Sequence, residues 1–460
     1  MTSSYRERIG AALADGWRFA GLHASSRGSR VHVLLVRRGE TWIETTEVAD
    51  GSVPSIVDLA FAAGWDEREA HDLHDVGFDG HEPLRPLVKH DLHLDTWTVP
   101  VRGHDTYQVA VGPVHAGVIE SGHFRFHVVG ERILHLDPRL FYKHRGLERA
   151  AEGKTIDEGL AYASRACAGC AVANGIAYAL ASESACGLEA TPELARVRTT
   201  LLELERMWNH LNDIAAVCAG VGLAAGNNRF AALVERARRL NVQLTGHRFL
   251  FGSIRVGGSV LQLHADDVAA ARREVSSIRT AALRGARELL FNASFQDRLP
   301  DVGVVTRVDA LRLGTVGPAA RAAGVPYDVR EHDMHLAYES FEPVVPERAL
   351  GDVQARVEQR TLELEQTFRI LEGLLDGRIA PSSAISSGVE QSVGVGRVES
   401  ARGETSCILE RSDDLVERVR LRTGSYANWP SVAHAATNNL LPDFPLINKS
   451  FELCYACADR

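Results

Sequence analysis

Ser164-Arg165-Ala166-Cys167-Ala168-Gly169-Cys170 and, near the other end of the chain, Phe451-Glu452-Leu453-Cys454-Tyr455-Ala456-Cys457-Ala458-Asp459-Arg460 are the two stretches on which the fold turns. Each holds a Cys-x-x-Cys pair, and two cysteines three apart can aim both sulfurs at one ion from a single turn. Thiolates are soft ligands that favour zinc, iron–sulfur clusters and other soft-accepting metals. A zinc ribbon keeps its two pairs about 15–20 residues apart. Here most of the chain lies between them, which is costly for a mere staple and suits a deep site built by the whole fold. The sequence therefore predicts a domain that brings its last residues back beside residue 167. Structural zinc is the competing reading of the same four residues.

The other three of the seven cysteines, Cys186, Cys218 and Cys407, are isolated and read as small buried hydrophobes. An odd count in a long chain does not suggest a disulfide framework. The net charge of −9 excludes a phosphate-tracking nucleic-acid binder, which needs a basic face. No apolar run approaches the length that spans a bilayer. The opening Met1-Thr2-Ser3-Ser4-Tyr5-Arg6-Glu7-Arg8 lacks the apolar core of a secretory signal. The expected location is cytoplasmic, with membrane contact only through other subunits.

At 460 residues the chain is long enough for two or three domains. Residues 1–90 read as a small α/β unit. Val31 to Val36 and Thr41 to Val48 form a candidate hairpin about Arg38-Gly39-Glu40. Ser55 is a candidate cap for a helix from Ile56 to Ala63. Charge density alone makes Gly64 to Leu73 an exposed loop. Residues 91–140 are β-rich, with strands expected over Tyr107 to Val111 and His123 to Val129. From Leu147 the pattern turns helical. Leu201, Leu204, Trp208, Leu211, Ala215 and Cys218 make one stripe at spacings of three and four. Val353, Val357, Leu364, Phe368, Leu371 and Leu375 make another, with Gly377 as the expected C-cap. A last β-leaning stretch runs from Ser392 to Val419. The expected class is α+β: a small N-terminal α/β domain over 1–93, then a mainly helical domain with a minor β-rich part over 94–460.

Several ordered blocks resemble the large subunit of energy-converting, complex-I-like nickel–iron hydrogenases, the branch that includes formate hydrogenlyase. They are Val111-Gly112-Pro113-Val114-His115, Glu120-Ser121-Gly122-His123-Phe124-Arg125, Gly130-Glu131, and Arg139-Leu140-Phe141-Tyr142-Lys143-His144-Arg145-Gly146-Leu147-Glu148. Leu202-Glu203-Leu204-Glu205-Arg206 with His210, Val316-Gly317-Pro318 with Arg321-Ala322-Ala323-Gly324, Ser425-Tyr426-Ala427-Asn428-Trp429-Pro430 and Pro445-Leu446-Ile447 follow, and both cysteine pairs fall in place. In front, Gly64-Trp65-Asp66-Glu67-Arg68-Glu69-Ala70-His71-Asp72-Leu73 with Gly77-Phe78-Asp79-Gly80-His81-Glu82-Pro83-Leu84-Arg85 resembles the C-terminal signature of the smaller of two paired peripheral-arm subunits of complex I, and implies a docking role.

The resemblance implies that Cys167, Cys170, Cys454 and Cys457 hold a nickel–iron centre whose iron carries carbon monoxide and cyanide. Cys170 and Cys457 would bridge the metals, and Cys167 and Cys454 would bind nickel alone. It implies Glu120 as first proton acceptor and Arg402 as a guanidinium over the metals; without it they read as a loop carboxylate and a turn arginine. Glu148 reads as the partner of Arg145 in a structural ion pair rather than a proton relay, and His144 and His210 as satisfied histidines. The implied partners are an iron–sulfur small subunit, which would carry the iron–sulfur clusters, and other complex-I-like peripheral and membrane subunits on the inner face of the cell membrane. The implied reaction is interconversion of H2 with protons and electrons. The alternative is a quinone-oxidoreductase or electron-relay subunit, a kin from which the cysteines are gone. Departures lie around the metal: Ala168-Gly169 for Gly-Ile, Asn174 for a histidine, Ser121 and Ala401 for prolines, and Glu452-Leu453 for Asp-Pro. Groups around the ligands tune a metal. Many relatives are cut after a basic residue three positions beyond the last cysteine. Arg460 occupies that position, so maturation is expected to need no C-terminal endopeptidase.

Overall fold

The computed structural model describes residues 4–90, 93, 96–115, 120–386 and 388–460. The junction expected between 93 and 94 touches residues outside that set.

Ser4 and Glu7 form a capping box that starts helix α1 (Tyr5–Ala14). Strands β1 (Arg18–Ala24), β2 (Arg30–Arg37) and β3 (Glu40–Glu47) follow as an antiparallel meander. Arg38 and Gly39 both have positive φ, +44° and +86°, the two-residue turn whose twist matches a hairpin. Val31 to Val36 are buried without alternation because both faces of the sheet are covered. Val31, Val33 and Leu35 pack with Ile9 of α1, while Leu34 and Val36 pack with Ile408 of the larger unit.

The helix expected over Ile56 to Ala63 is displaced. Glu67 accepts the Ile56 N–H at 2.8 Å and the Ser55 hydroxyl at 2.8 Å, which holds Ile56 to Ala60 in a turn. Helix α2 (Gly64–His74) then runs through the charged stretch that reads as a loop. Its carboxylates Asp66, Glu67, Glu69 and Asp72 are buried. Asp72 accepts the N–H groups of Leu87, Val88 and Lys89 at 2.7, 2.6 and 3.1 Å, pinning the segment after the signature.

The expected strands appear as β4 (Thr106–Val111) and β5 (His123–Val129), joined by an unanticipated third, β6 (Arg132–Arg139). Helices α3 (Leu147–Ala151), α4 (Ile156–Ser164), α5 (Ala171–Cys186), α6 (Pro192–Gly220), α7 (Ala224–Thr245), α8 (Ala265–Leu290) and α9 (Val353–Leu374) build the main core. The stripe from Leu201 to Cys218 is buried throughout. α9 ends before Gly377, its C-cap being Leu375, so the glycine falls in the turn beyond.

Strands β7 (Val393–Ser400), β8 (Gly403–Ser412) and β9 (Leu415–Arg422) form a meander against α5. Gly394 and Gly396 allow that contact, since a Cβ on either would lie 2.0 Å from a backbone oxygen of α5, Ala181 or Ala177. Helices α10 (Gly424–Ala436), α11 (Phe444–Phe451) and α12 (Tyr455–Asp459) close the chain. The result is α+β, a small sheet unit ahead of a mainly helical one. No helix among the described residues is long and apolar enough to cross a membrane.

Candidate metal centre

Each cysteine pair is set by its own local structure. Cys167 precedes a single 3-10 turn, Ala168–Cys170, and its sulfur accepts the Gly169 N–H at 3.2 Å. Cys170 leads straight into α5. The first N–H groups of α5 need acceptors, and Glu205 of α6 supplies them, taking Val172 and Ala173 at 2.7 and 3.0 Å. Burial pushes the Glu205 carboxyl up to about 8. The second pair flanks Tyr455, whose ring packs on Trp429 at 5.0 Å and into the space left by Gly122, where a Cβ would lie 2.6 Å from the ring. Ser425 Oγ accepts the Cys454 N–H at 3.0 Å.

The fold brings the two pairs together as the sequence predicts. The four sulfurs lie within 4.8 Å of one another, with Cys167, Cys170 and Cys457 buried and Cys454 partly so. Thiols this close do not ionise independently. Hydrogen bonds from Cys167 and the other two thiols hold Cys454 well below the usual thiol range, and Arg402 adds to the effect. The same contacts, led by Cys167, push Cys170 well above it. Gly169 keeps space open beside the quartet: a Cβ there would stand 3.5 Å from Cys454 Sγ and 3.6 Å from Cys167 Sγ. A soft, mostly buried, four-sulfur cradle with one thiolate already favoured fits a thiophilic metal centre.

Glu120 and Arg402 both come to this cradle. Glu120 is half-buried and accepts the Ala456 N–H at 2.7 Å, inside the second pair. Burial raises its pKa, and the charge of Cys454 adds to that. Arg402 is buried in the turn between β7 and β8. It donates to Asn209 Oδ1, to Asp213 at 2.9 Å and to the Glu452 carbonyl at 2.9 Å. Burial opposes its charge, but Asp213, Cys454 and Cys170 outweigh burial and hold the guanidinium protonated. Asn174 turns its amide toward Cys457, with Nδ2 to Sγ at 3.9 Å. A non-titrating donor therefore stands where the resemblance leads one to expect an imidazole.

Glu148 does not pair with Arg145. It meets Arg418, Arg420 and Arg460 at 3.4, 3.4 and 3.2 Å. Arg145 instead donates to the carbonyls of Arg165 and Ala166, because the turn after Phe141 aims it at the first cysteine loop. His144 is satisfied by the Asp459 carbonyl at 2.7 Å, whereas His210 bonds Glu363 at 3.2 Å through Nε2 and leaves its buried Nδ1 without a hydrogen-bond partner, Asp213 standing 3.8 Å away. Sequence reasoning misses Asn209 and Asp213, and marks Glu452 only as a departure before the last pair. A signal exists: Glu205, Asn209 and Asp213 recur every four residues, a polar line along one face of the helix.

His23, His32 and Glu410 also gather, across the seam between the two units. Their rings stack nearly parallel, 4.8 Å apart at 21°. Arg30 stands 3.7 Å from Glu410, and the charge of Arg418 acts on His23. Burial lowers the His23 pKa to about 4, so His23 meets Glu410 as a neutral ring at 3.2 Å, and Arg30 supplies the cationic neighbour.

Known proteins can now be set beside this geometry. Residues 21–107 match the family described as respiratory-chain NADH dehydrogenase, 30 Kd subunit, and residues 228–389 match the 49 Kd subunit of the same enzyme. The chain carries a 30-kDa-type segment in front of a 49-kDa-type one. Formate hydrogenlyase subunit 5 of Escherichia coli strain K12 is 28% identical over 93% of this chain and 81% of that one. A C/D-type NADH-quinone oxidoreductase protein of Phocaeicola vulgatus is 26% identical over 87% of this chain and 84% of that one. Among solved structures, the membrane-bound sulfane sulfur reductase, an archaeal respiratory membrane complex, matches with a TM-score of 0.71 and 28% identity, over 77% of this chain and 99% of that one. The chain is thus similar both to hydrogenase large subunits and to NADH-quinone oxidoreductase subunits, and these relatives support an oxidoreductase role.

Proposed function

We propose that the fused chain is the large subunit of a membrane-associated nickel–iron hydrogenase, interconverting H2 with protons and electrons. The convergence of Cys167, Cys170, Cys454 and Cys457 carries this reading. In it Cys167, Cys170, Cys454 and Cys457 would together hold the nickel–iron centre. When bound, such a centre would supply redox-active metals for the heterolytic cleavage of H2. Everything else is work for the protein. Glu120 takes the proton: its carboxylate lies in the second cysteine turn, and burial moves its pKa toward neutrality, where a base works best. Arg402 holds a fixed positive charge at the cradle, locked by Asn209, Asp213 and the Glu452 carbonyl. Asn174 donates toward Cys457 without changing charge over the working pH range.

The 1–93 unit is a docking domain in this reading, and 94–460 holds the centre. Iron–sulfur clusters belong to a small partner subunit, with further complex-I-like peripheral and membrane subunits placing the chain on the inner face of the cell membrane. Relatives such as formate hydrogenlyase subunit 5 support such an assembly. The likeness to the NADH-quinone oxidoreductase protein of Phocaeicola vulgatus favours a second reading, a quinone-oxidoreductase or relay subunit without hydrogenase activity. The four thiols weigh against it, since the complex I relatives lack that group.

A dye-linked assay separates the readings. The assembled complex is expected to reduce a viologen dye with H2, and the chain purified by itself is not, because electrons leave through the small subunit. An assembled complex with quinone reductase activity and no hydrogen uptake overturns the proposal. Full activity of the isolated chain overturns the partner assignment.

A further inference from the structure

Arg460, three residues beyond Cys457, turns inward. It is 2% exposed, with Nη2 at 2.6 and 2.7 Å from the two carboxylate oxygens of Glu69. Its Nε lies 3.2 Å from Glu148, Nη1 donates to the Leu421 carbonyl at 2.8 Å, and the guanidinium rests over the Tyr426 ring at 4.8 Å. Glu148 and Leu421 belong to the large unit. Glu69 belongs to α2, in the segment that matches the 30-kDa type. We infer that the N-terminal unit is a clamp on the cysteine arm: Glu69 holds Arg460 and thereby positions Cys457.

Two features make the contact matter. First, α12 has only five residues, and a helix that short does not persist in water without tertiary anchors. At its start it is held by Ser425 and Glu120. At its end the Asp459 carboxylate accepts the N–H groups of Phe141 and Lys143, and Arg460 enters the carboxylate pocket. Second, the pocket is charge-balanced with nothing to spare. Asp66, Glu69 and Glu148 face Arg418, Arg420, Arg422 and Arg460, with Glu152 taking part of Arg418 at 3.5 Å. Removing Glu69 leaves Arg420 with Asp66 and Glu148, but leaves Arg460 with only a share of Glu148, which also accepts the Leu421 N–H. A buried cation short of a partner is costly. Arg420 is fixed in a strand, whereas Arg460 follows a helix of only five residues. Relief comes when Arg460 swings out, and α12 goes with it.

The clamp bears on metal retention only if Cys457 is a metal ligand, as proposed above, so the test is made on the metal-free full chain. Hydrogen exchange is followed at the amides of Cys454, Ala456, Ala458 and Arg460, all bonded in the closed arm. Glu69→Gln and Arg460→Met are each expected to speed exchange over 454–460 at least tenfold, leaving α5 unchanged. The double variant should be no more than twofold faster than the faster single. Arg18→Met breaks the Arg18–Glu404 pair, 2.9 Å across the same seam but away from the arm, and should leave 454–460 within twofold. Unchanged exchange in Glu69→Gln, multiplicative effects in the double, or equal acceleration by Arg18→Met overturns the clamp. If Glu69→Gln does not fold, Arg460→Met and Arg18→Met decide between the same outcomes. Absence of nickel from the native protein would sink the hydrogenase reading without touching this result.

Discussion

Glu120→Gln is expected to cut hydrogen turnover by about a hundredfold or more, the span a positioned proton-transfer group contributes. Glutamine has the same shape, and its carbonyl oxygen still accepts the Ala456 N–H that the carboxylate accepts at 2.7 Å. The second cysteine turn therefore stays in place, and nickel content should equal that of the parent. What is lost is the exchangeable proton on a group that burial has moved upward from the ordinary carboxyl range. Activity that falls together with nickel content would assign Glu120 a purely structural role. Unaltered turnover would move the proton exit elsewhere, first to Glu452, whose carboxyl is pushed up to about 8 by burial and by Asp213.

Cys457→Ser should have the larger effect, with nickel retention abolished and hydrogen turnover lost with it. Serine nearly matches cysteine in size, and Cys457 sits in the small cluster of the four cysteines and Ala456, outside the main hydrophobic cores, so the fold should survive. Its hydroxyl is a hard, weakly acidic donor and cannot replace a soft thiolate. Metal analysis of the variant beside the parent, both from a host with maturation proteins, reads this directly. Parent-level nickel in Cys457→Ser would remove Cys457 from the ligand set.

Much of this is legible in the sequence, and the reasons are physical. The two Cys-x-x-Cys pairs imply a fold that returns its end to residue 167, because four thiols so far apart have little use unless they meet. The Leu201–Cys218 stripe marks α6, since helical periodicity survives burial of one face. The Val31–Val36 run reads as a strand, although its lack of alternation, caused by cover on both faces, could equally mark a buried helix turn. The failures at charged residues share one cause: their partners lie in distant segments. Gly64 to His74 looks like a loop because Asp66, Glu69 and Asp72 are acidic, yet their partners lie far away in sequence, Arg420 and Arg422 among them. Spacing pairs Glu148 with Arg145, its near neighbour in sequence, when its partners are Arg418, Arg420 and Arg460. Local spacing does not reveal ion pairs between distant segments. Asn209 and Asp213, which hold Arg402, are hidden the same way, although their spacing of four from Glu205 is there to be read.

Metal analysis by mass spectrometry combined with infrared spectroscopy, on the complex isolated from a host that makes nickel–iron centres, tests the hydrogenase reading most directly. Equimolar nickel and iron, with the infrared bands of metal-bound carbon monoxide and cyanide, is the expected result. Full occupancy of the four cysteines by zinc alone, with no such bands, would contradict it.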